Sequence, residues 1–354
     1  MRRVSLDKIQ SGAMLAKTLV TLEGKVLLAS GTKLTEEYKR RLMANGITEI
    51  YVEDEISKDI QVPEVVHEEI INEAKSKVKL MMTNPAIKTS IDGFQVMQIV
   101  DKIITSILSN KDIIANLTDI RSVDDYTFSH SVNVCILSLI IGIGFGYSSD
   151  KLRELGVGSI LHDIGKVMIS EEILKKPVQL TNDEFEKIKK HTIYGHELLK
   201  KTKGITMMAS YIALGHHERL DGSGYPYHLK GENIHKAARI VAVADVYDAL
   251  TTDRVYRKKL MPHEVIDYIT SLASKHFDQE VVDVFLRYIA YYPVGTGVIL
   301  NTGEKGIVKM YNKKFPTRPV VRVVTDSQGK MLTRHKEVDL ANELMYRIIE
   351  IWDI

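Results

Sequence analysis

Hydrophobic and polar positions change their period twice along the chain. In the first sixty residues, short β-rich runs dominate. Thr18 to Thr21 and Lys25 to Ala29 are joined across Glu23-Gly24, which predicts a hairpin. Thr35-Glu36-Glu37 sets a capping hydroxyl ahead of acids and predicts a helix that Gly46 ends, and Ile47 to Val52 predicts a returning strand. Helical period takes over near Val65 and holds to about Ala290, broken by a loop from Gly215 to Gly231 that is crowded with Gly, Asp and Pro. Beyond Pro293, the runs Val298 to Leu300, Gly306 to Met310 and Val320 to Thr325 predict a small sheet or barrel, closed by a helix from Leu340. The expected fold class is mainly α. Its divisions are a small N-terminal α+β unit (1–62), a helical extension (63–122), a helical domain (123–292) and a small C-terminal β-rich unit (293–354).

The most apolar stretch, Val132 to Tyr147, is interrupted by Asn133, Ser138 and three glycines. It falls short of the ~20 residues that span a bilayer and reads as a buried core helix. The single cysteine, Cys135, lies inside it, so no internal disulfide forms and an inert thiol is expected. Leu80-Met81-Met82 read as core or interface. Met1 to Met14 lacks the apolar run of a signal peptide, and the expected location is cytoplasmic, with no membrane. A formal charge of +2 over 354 residues argues against DNA as a partner, which needs a concentrated basic face. It leaves room for a small anionic ligand. Lys305, Lys309, Lys313, Lys314 and Arg318 read as a solvated surface before a partner face.

Chemistry enters through the histidines, eight of twelve of which fall between His130 and His235. Each alone has a plain reading as a cap or surface residue, and His162-Asp163 alone is unspecific. Together the plain readings fail. Asp245, flanked by Val243 and Val246, costs several kcal/mol to bury unless paired or metal-bound, and adjacent His216-His217 are partners of the right type. Imidazole plus carboxylate is a transition-metal ligand set. A carboxylate such as Asp163 has two oxygens and can bridge two ions ~3.5–4 Å apart, as in two-metal hydrolytic sites that acidify water and stabilise charge on a phosphate oxygen. No Ser-His-Asp arrangement and no Walker-type glycine loop competes.

The string Leu161-His162-Asp163-Ile164-Gly165-Lys166 resembles the signature of the HD phosphohydrolase superfamily. His216-His217-Glu218-Arg219-Leu220-Asp221-Gly222-Ser223-Gly224-Tyr225-Pro226 is similar to the HD-GYP subfamily signature. Ala244-Asp245-Val246-Tyr247-Asp248-Ala249-Leu250-Thr251 and Arg254-Val255-Tyr256-Arg257 follow as in that subfamily. The resemblance runs from roughly Asp124 to Phe285. It implies an HD-GYP catalytic domain in which His130, His162, Asp163 and Asp245 hold one divalent ion, and Asp163 joins His191, His216 and His217 on a second, with iron or manganese as the ions. It implies that Lys166 lies over the site and assists the phosphate or leaving group. Gly224, Tyr225 and Pro226 would shape the substrate pocket, and Arg254 and Arg257 would contact phosphates or guanine.

The implied activity is cyclic di-GMP hydrolysis to linear pGpG, with GMP as a further product. The alternatives are a receptor that binds without cutting and a phosphodiesterase for another cyclic dinucleotide. A homodimer and a diguanylate-cyclase or other signalling partner are compatible with the flanking units. Some family members carry a glutamate ligand for a third metal four residues before the first histidine; Tyr126 stands there, which favours two metals. His196 reads as structural, and His228, His235 and His263 as surface loop residues.

Overall fold

The computed structural model describes residues 1–9, 11–21, 25–89, 91–110, 113, 126–174, 176, 178–252, 259–312 and 314–352, and the chain divides into two units. One unit is built from both ends, Met1–Glu64 and Ile289–Ile354. Its N-terminal part contains strands β1 (Arg2–Ser5), β2 (Met14–Leu15), β3 (Leu19–Val20) and β4 (Val26–Leu28), helix α1 (Glu36–Ala44) and strand β5 (Glu49–Glu53). β5 pairs antiparallel with β1 and β2, and β3 with β4. The predicted hairpin is thus present as its two strands, while Glu23 and Gly24 lie outside the described residues. α1 begins where Thr35 accepts a hydrogen bond from the Tyr38 amide, an N-cap that satisfies one of the helix's free donors.

At the other end, β6 (Gly297–Leu300), β7 (Lys305–Met310), β8 (Val320–Thr325), β9 (Met331–Asp339) and β10 (Ile348–Ile351) form an antiparallel sheet in the order β10-β6-β7-β8-β9. The helix expected from Leu340 is not there; turns lead into β10 instead. The backbone groups such a helix would use have other partners. Asp339 accepts from the Ala341 amide, Arg318 donates to the carbonyls of Leu340 and Tyr346, and Ile348–Ile351 pairs with β6.

The first and last segments, read from sequence as separate, share one apolar core. Tyr51, Ile60 and Val62 pack with Val298, Ile307, Val321 and Val323. The Met1 ammonium donates to the carbonyls of Ser57 and Ile60, each at 2.6 Å, and Arg322 grips Asp59 through both guanidinium nitrogens. That paired fork holds the Asp59 carboxyl well below the usual carboxylate range.

The second unit is helical: α2 (Glu68–Thr83), α3 (Gly93–Ser109), α4 (Tyr126–Gly144), α5 (Ser149–Ile160), α6 (Glu171–Leu174), α7 (Asn182–Lys189), α8 (His191–Lys201), α9 (Met207–Gly215), α10 (Lys236–Thr251), α11 (Pro262–Ser271) and α12 (Gln279–Tyr288). α4 is its axis. Residues 129–142 are buried without a break, as expected for a helix that is apolar all round. It packs against α2, α5, α10 and α12. The two helices of the extension, α2 and α3, pack with these helices, α2 on α4 and α3 on α5. Cys135 is buried in α4 and its thiol is pushed up by burial, as an inert cysteine should be. Leu80, expected in core or interface, is exposed. No described helix is long and apolar enough to cross a membrane.

A 3-10 turn over Ile164–Met168 follows α5 and docks on α8. The contact is made by Gly165, where a Cβ would lie 1.9 Å from the His191 carbonyl oxygen and 2.5 Å from the Gly195 nitrogen. Both obstacles are backbone and cannot swing aside. Gly165→Ala should therefore force the turn and α8 apart and destabilise the chain by about 3 kcal/mol or more. Chemical denaturation checks this; an unchanged midpoint contradicts the close packing.

Candidate metal centre

Four helices and one turn bring the histidines together. His130 comes from the buried face of α4, His162 and Asp163 from the turn that follows α5, His191 from the first residue of α8, His216 and His217 from the end of α9, and Asp245 from the middle of α10. Two groups result, each with its ligand-type atoms within 4.8 Å of one another: Asp163, His191, His216 and His217, and His130, His162 and Asp245. Asp163 sits between them. One of its oxygens is 3.2 Å from His191 Nε2 and 3.8 Å from His216 Nε2; the other is 3.4 Å from His162 Nε2 and 3.9 Å from His130 Nε2.

The outer ring nitrogens determine what the inner ones present. His162 Nδ1 lies 2.7 Å from the Ser159 carbonyl, His191 Nδ1 2.7 Å from the Ile188 carbonyl, and His216 Nδ1 3.0 Å from the Ala213 carbonyl. A carbonyl only accepts, so each Nδ1 carries the proton and each Nε2 presents a lone pair. His130 Nδ1 lies 2.7 Å from an oxygen of buried Asp248, whose other oxygen accepts from Asn133 at 2.7 Å. The result is a crowd of like groups. His191 Nε2 and His216 Nε2 are 3.4 Å apart, and His162 Nε2 and Asp163 Oδ1 are buried without a hydrogen-bond partner. Buried polar atoms left so cost about 1–3 kcal/mol each. A divalent cation is the partner that lone pairs and carboxylates accept in common, and the residues present fit such an ion.

Titration follows the same logic. Burial would push His130 down, but the carboxylates of Asp245 and Asp248 win and raise it to about 9. His216 is lowered to about 3 by burial and by the neighbouring His162 and His191, so it stays neutral and ligand-ready. His217 is lowered well below the usual imidazole range, first by burial and then by His216. Asp163 is opposed by burial, yet Lys166 and the imidazoles hold its carboxyl well below the ordinary carboxylate range; Asp245 behaves alike, through His130 and His217.

Lys166, on the 3-10 turn, pairs directly with Asp163 and keeps part of its side chain in solvent. The loop after α9 folds back over the cluster. Gly224 is required there because a Cβ would lie 2.4 Å from the Arg219 nitrogen and 2.5 Å from the His217 carbonyl oxygen. Tyr225 lays its ring against His217, centroids 4.7 Å apart, and half-buried Pro226 follows. Burial pushes the Tyr225 phenol far up, with Asp163 and Asp245 adding to it, so it remains protonated. Arg254 and Arg257 lie outside the described residues, as does the side chain of Tyr126. His196 has the structural role expected, its Nδ1 3.2 Å from the Ser210 carbonyl. His235 caps α10, and His263, expected in a loop, lies in α11 because Pro262 and the Glu264 cap on Met261 start a helix there.

Three residues were not singled out by sequence reasoning. Asp248 and Asn133 orient His130; the clue is spacing, since Asp248 lies three residues after Asp245 and Asn133 three after His130 on apolar helices. Glu218 is buried and accepts from the amides of Tyr227 at 2.7 Å and Leu229 at 3.0 Å, which fastens the loop that carries Tyr225. Its clue is an acid beside two histidines at the start of a glycine-rich loop.

Two outcomes are expected. Asp248→Ala should weaken divalent-metal affinity about 10–100-fold, the usual effect of losing the partner that orients a ligating histidine, with Asp248→Asn milder. Calorimetric titration of manganese(II) into metal-stripped protein reads this. Because metal-free His130 keeps its proton up to about pH 9, metal uptake should release protons. Apparent affinity should therefore climb between about pH 6 and about pH 9, and proton release seen by comparing buffers of different ionisation enthalpy checks the sign.

Residues 125–281 match the HD domain family, and residues 297–354 match the family described as KOW domain associated with HD domain. The chain is 34% identical over 271 residues to cyclic di-GMP phosphodiesterase PA4108 of Pseudomonas aeruginosa, covering 77% of this chain and 65% of that protein. It is 35% identical over 190 residues to 3'3'-cGAMP-specific phosphodiesterase 1 of Vibrio cholerae, covering 53% of this chain and 43% of that one. The chain thus spans less than two thirds of either relative. Among solved structures, Bd1817, an HDG"Y"P protein from Bdellovibrio bacteriovorus, shares the fold with a TM-score of 0.53 at 16% identity, over 80% of this chain and 97% of that one. The histidine and aspartate cluster lies wholly inside the span that matches the HD domain family, residues 125–281.

Proposed function

We propose that the chain is a metal-dependent phosphodiesterase that opens cyclic di-GMP to linear pGpG. The observation that carries this is the convergence of the Nε2 atoms of His130, His162, His191 and His216 on Asp163, from two groups of ligand-type residues. In this reading His130, His162, Asp163 and Asp245 hold one divalent ion and Asp163, His191, His216 and His217 a second, iron or manganese by ligand type. When bound, such ions acidify water and offset the charge that grows on a phosphate oxygen.

The chain's own residues do the rest. Asp163, ionised across the working pH range, offers one oxygen to each group. Lys166 Nζ stands beside Asp163 with part of its side chain open to solvent, where its charge can meet a phosphate oxygen and its proton can reach the departing 3′ oxygen. Water oxygen joins phosphorus, the P–O3′ bond breaks, and the 3′ oxygen takes up a proton, leaving a 5′-phosphate on a linear dinucleotide. Tyr225, held protonated, can donate a hydrogen bond and cannot serve as a base. Arg254 and Arg257 complete the reading as contacts to phosphate or guanine, since a guanidinium fork matches both.

A hybrid cyclic dinucleotide is the second reading, favoured by the similarity to the Vibrio cholerae protein. Protein purified without oxygen and supplied with iron(II) or manganese(II) should linearise cyclic di-GMP, with 3'3'-cGAMP assayed beside it. Asp163→Ala should lose more activity than the roughly 10–100-fold expected for an outer-shell residue, and lose bound metal as well. Metal retained by the variant together with full turnover would contradict the reading.

A further inference from the structure

Outward from the metal-type histidines, a row of rings leads to solvent. Tyr225 covers His217, and Phe185 meets Tyr225 edge-to-face, centroids 6.4 Å apart. Lys189 Nζ lies 4.9 Å from the Phe185 ring centre and 5.5 Å from that of Tyr225. Phe185 is 45% exposed. It sits on α7, a helix that buries none of its residues, so the phenyl ring is not filling the core. A single exposed phenylalanine is ordinary on a protein surface. One that ends a row of rings starting at a histidine of the cluster is less so.

The helix is also held in place. Thr181 and Glu184 form a reciprocal capping box, and Lys176 reaches both oxygens of Glu184, at 2.6 and 2.7 Å. Only Lys190 separates the end of α7 from His191, so the distance from Phe185 to the cluster varies little. The ring is a prearranged flat apolar face with a cation at its side.

We propose that Phe185, backed by Tyr225 and Lys189, is a stacking platform for a nucleobase of the substrate. This rests on the reading that the cluster cleaves a cyclic dinucleotide. A phosphodiester at the histidine cluster carries its bases several ångströms away, and a row of two rings leads outward over that range. Stacking on an aromatic face suits any base, and the Lys189 ammonium, which also pairs with exposed Glu186 at 2.6 Å, stands beside a dianionic ligand. The platform therefore contributes to binding and leaves the choice between guanine and adenine to polar contacts.

Phe185→Leu keeps apolar bulk and removes the π face, so it separates stacking from packing. It should raise KM for cyclic di-GMP by about tenfold, with kcat changed far less, and leave metal content as in wild type. Phe185→Tyr should restore KM. Trp352 is the only tryptophan, so Phe185→Trp in a Trp352→Phe background places one indole at the platform. Mixing the metal-loaded form with cyclic di-GMP should quench its emission before turnover. An unchanged KM in Phe185→Leu, or emission unmoved by bound nucleotide, overturns the platform while the phosphodiesterase reading stands. Metal-loaded wild type that cleaves no cyclic dinucleotide overturns both.

Discussion

Buried imidazoles whose protons are already committed elsewhere govern this molecule. Three Nδ1–H groups are held by backbone carbonyls, so three lone pairs are turned inward around Asp163, and a fourth ring, that of His130, is fixed by Asp248. Lone pairs packed against lone pairs and carboxylates are unfavourable without a cation between them. The fold tolerates the arrangement because each ring is fixed from outside by a hydrogen bond that helix geometry supplies. His162 and His191 bond carbonyls three residues back, and His216 bonds carbonyls three and four back, at places where helices or turns end.

The remaining structure serves that constraint. α4 is buried on all sides and gives His130 a fixed base, with Asn133 one turn on to steady Asp248. Gly165 and Gly224 stand where two backbones meet, so that the turn bearing Lys166 and the loop bearing Tyr225 can close on the cluster. Glu218 then ties that loop from beneath through two amides. The unit formed by the chain ends has a core of its own, joined by the Arg322–Asp59 pair, and none of its described residues belongs to the cluster.

Much of this was legible in the sequence because the chemistry is carried by rare residue types. Histidines at helix ends, and an aspartate amid valines, stand out against an apolar helical background, and the seven proposed ligands do come within reach of one another. Less visible were the residues that act through others. Asp248, Asn133 and Glu218 look like ordinary polar residues until their partners are seen. The expected helix after Leu340 illustrates a different limit: its local pattern suits a helix, but β6 and Arg318 take the backbone groups a helix would need. Likewise, the two ends of the chain read as separate units because nothing local signals that Asp59 will meet Arg322.

Electron paramagnetic resonance of protein loaded with two equivalents of manganese(II) tests the central claim most directly. If Asp163 offers an oxygen to each of two ions ~3.5–4 Å apart, the spins should couple through it. The spectrum should then be that of an exchange-coupled pair, reverting to isolated ions in Asp163→Ala. A six-line spectrum of uncoupled manganese in the fully loaded wild-type protein would contradict the shared carboxylate and the two-ion centre built on it.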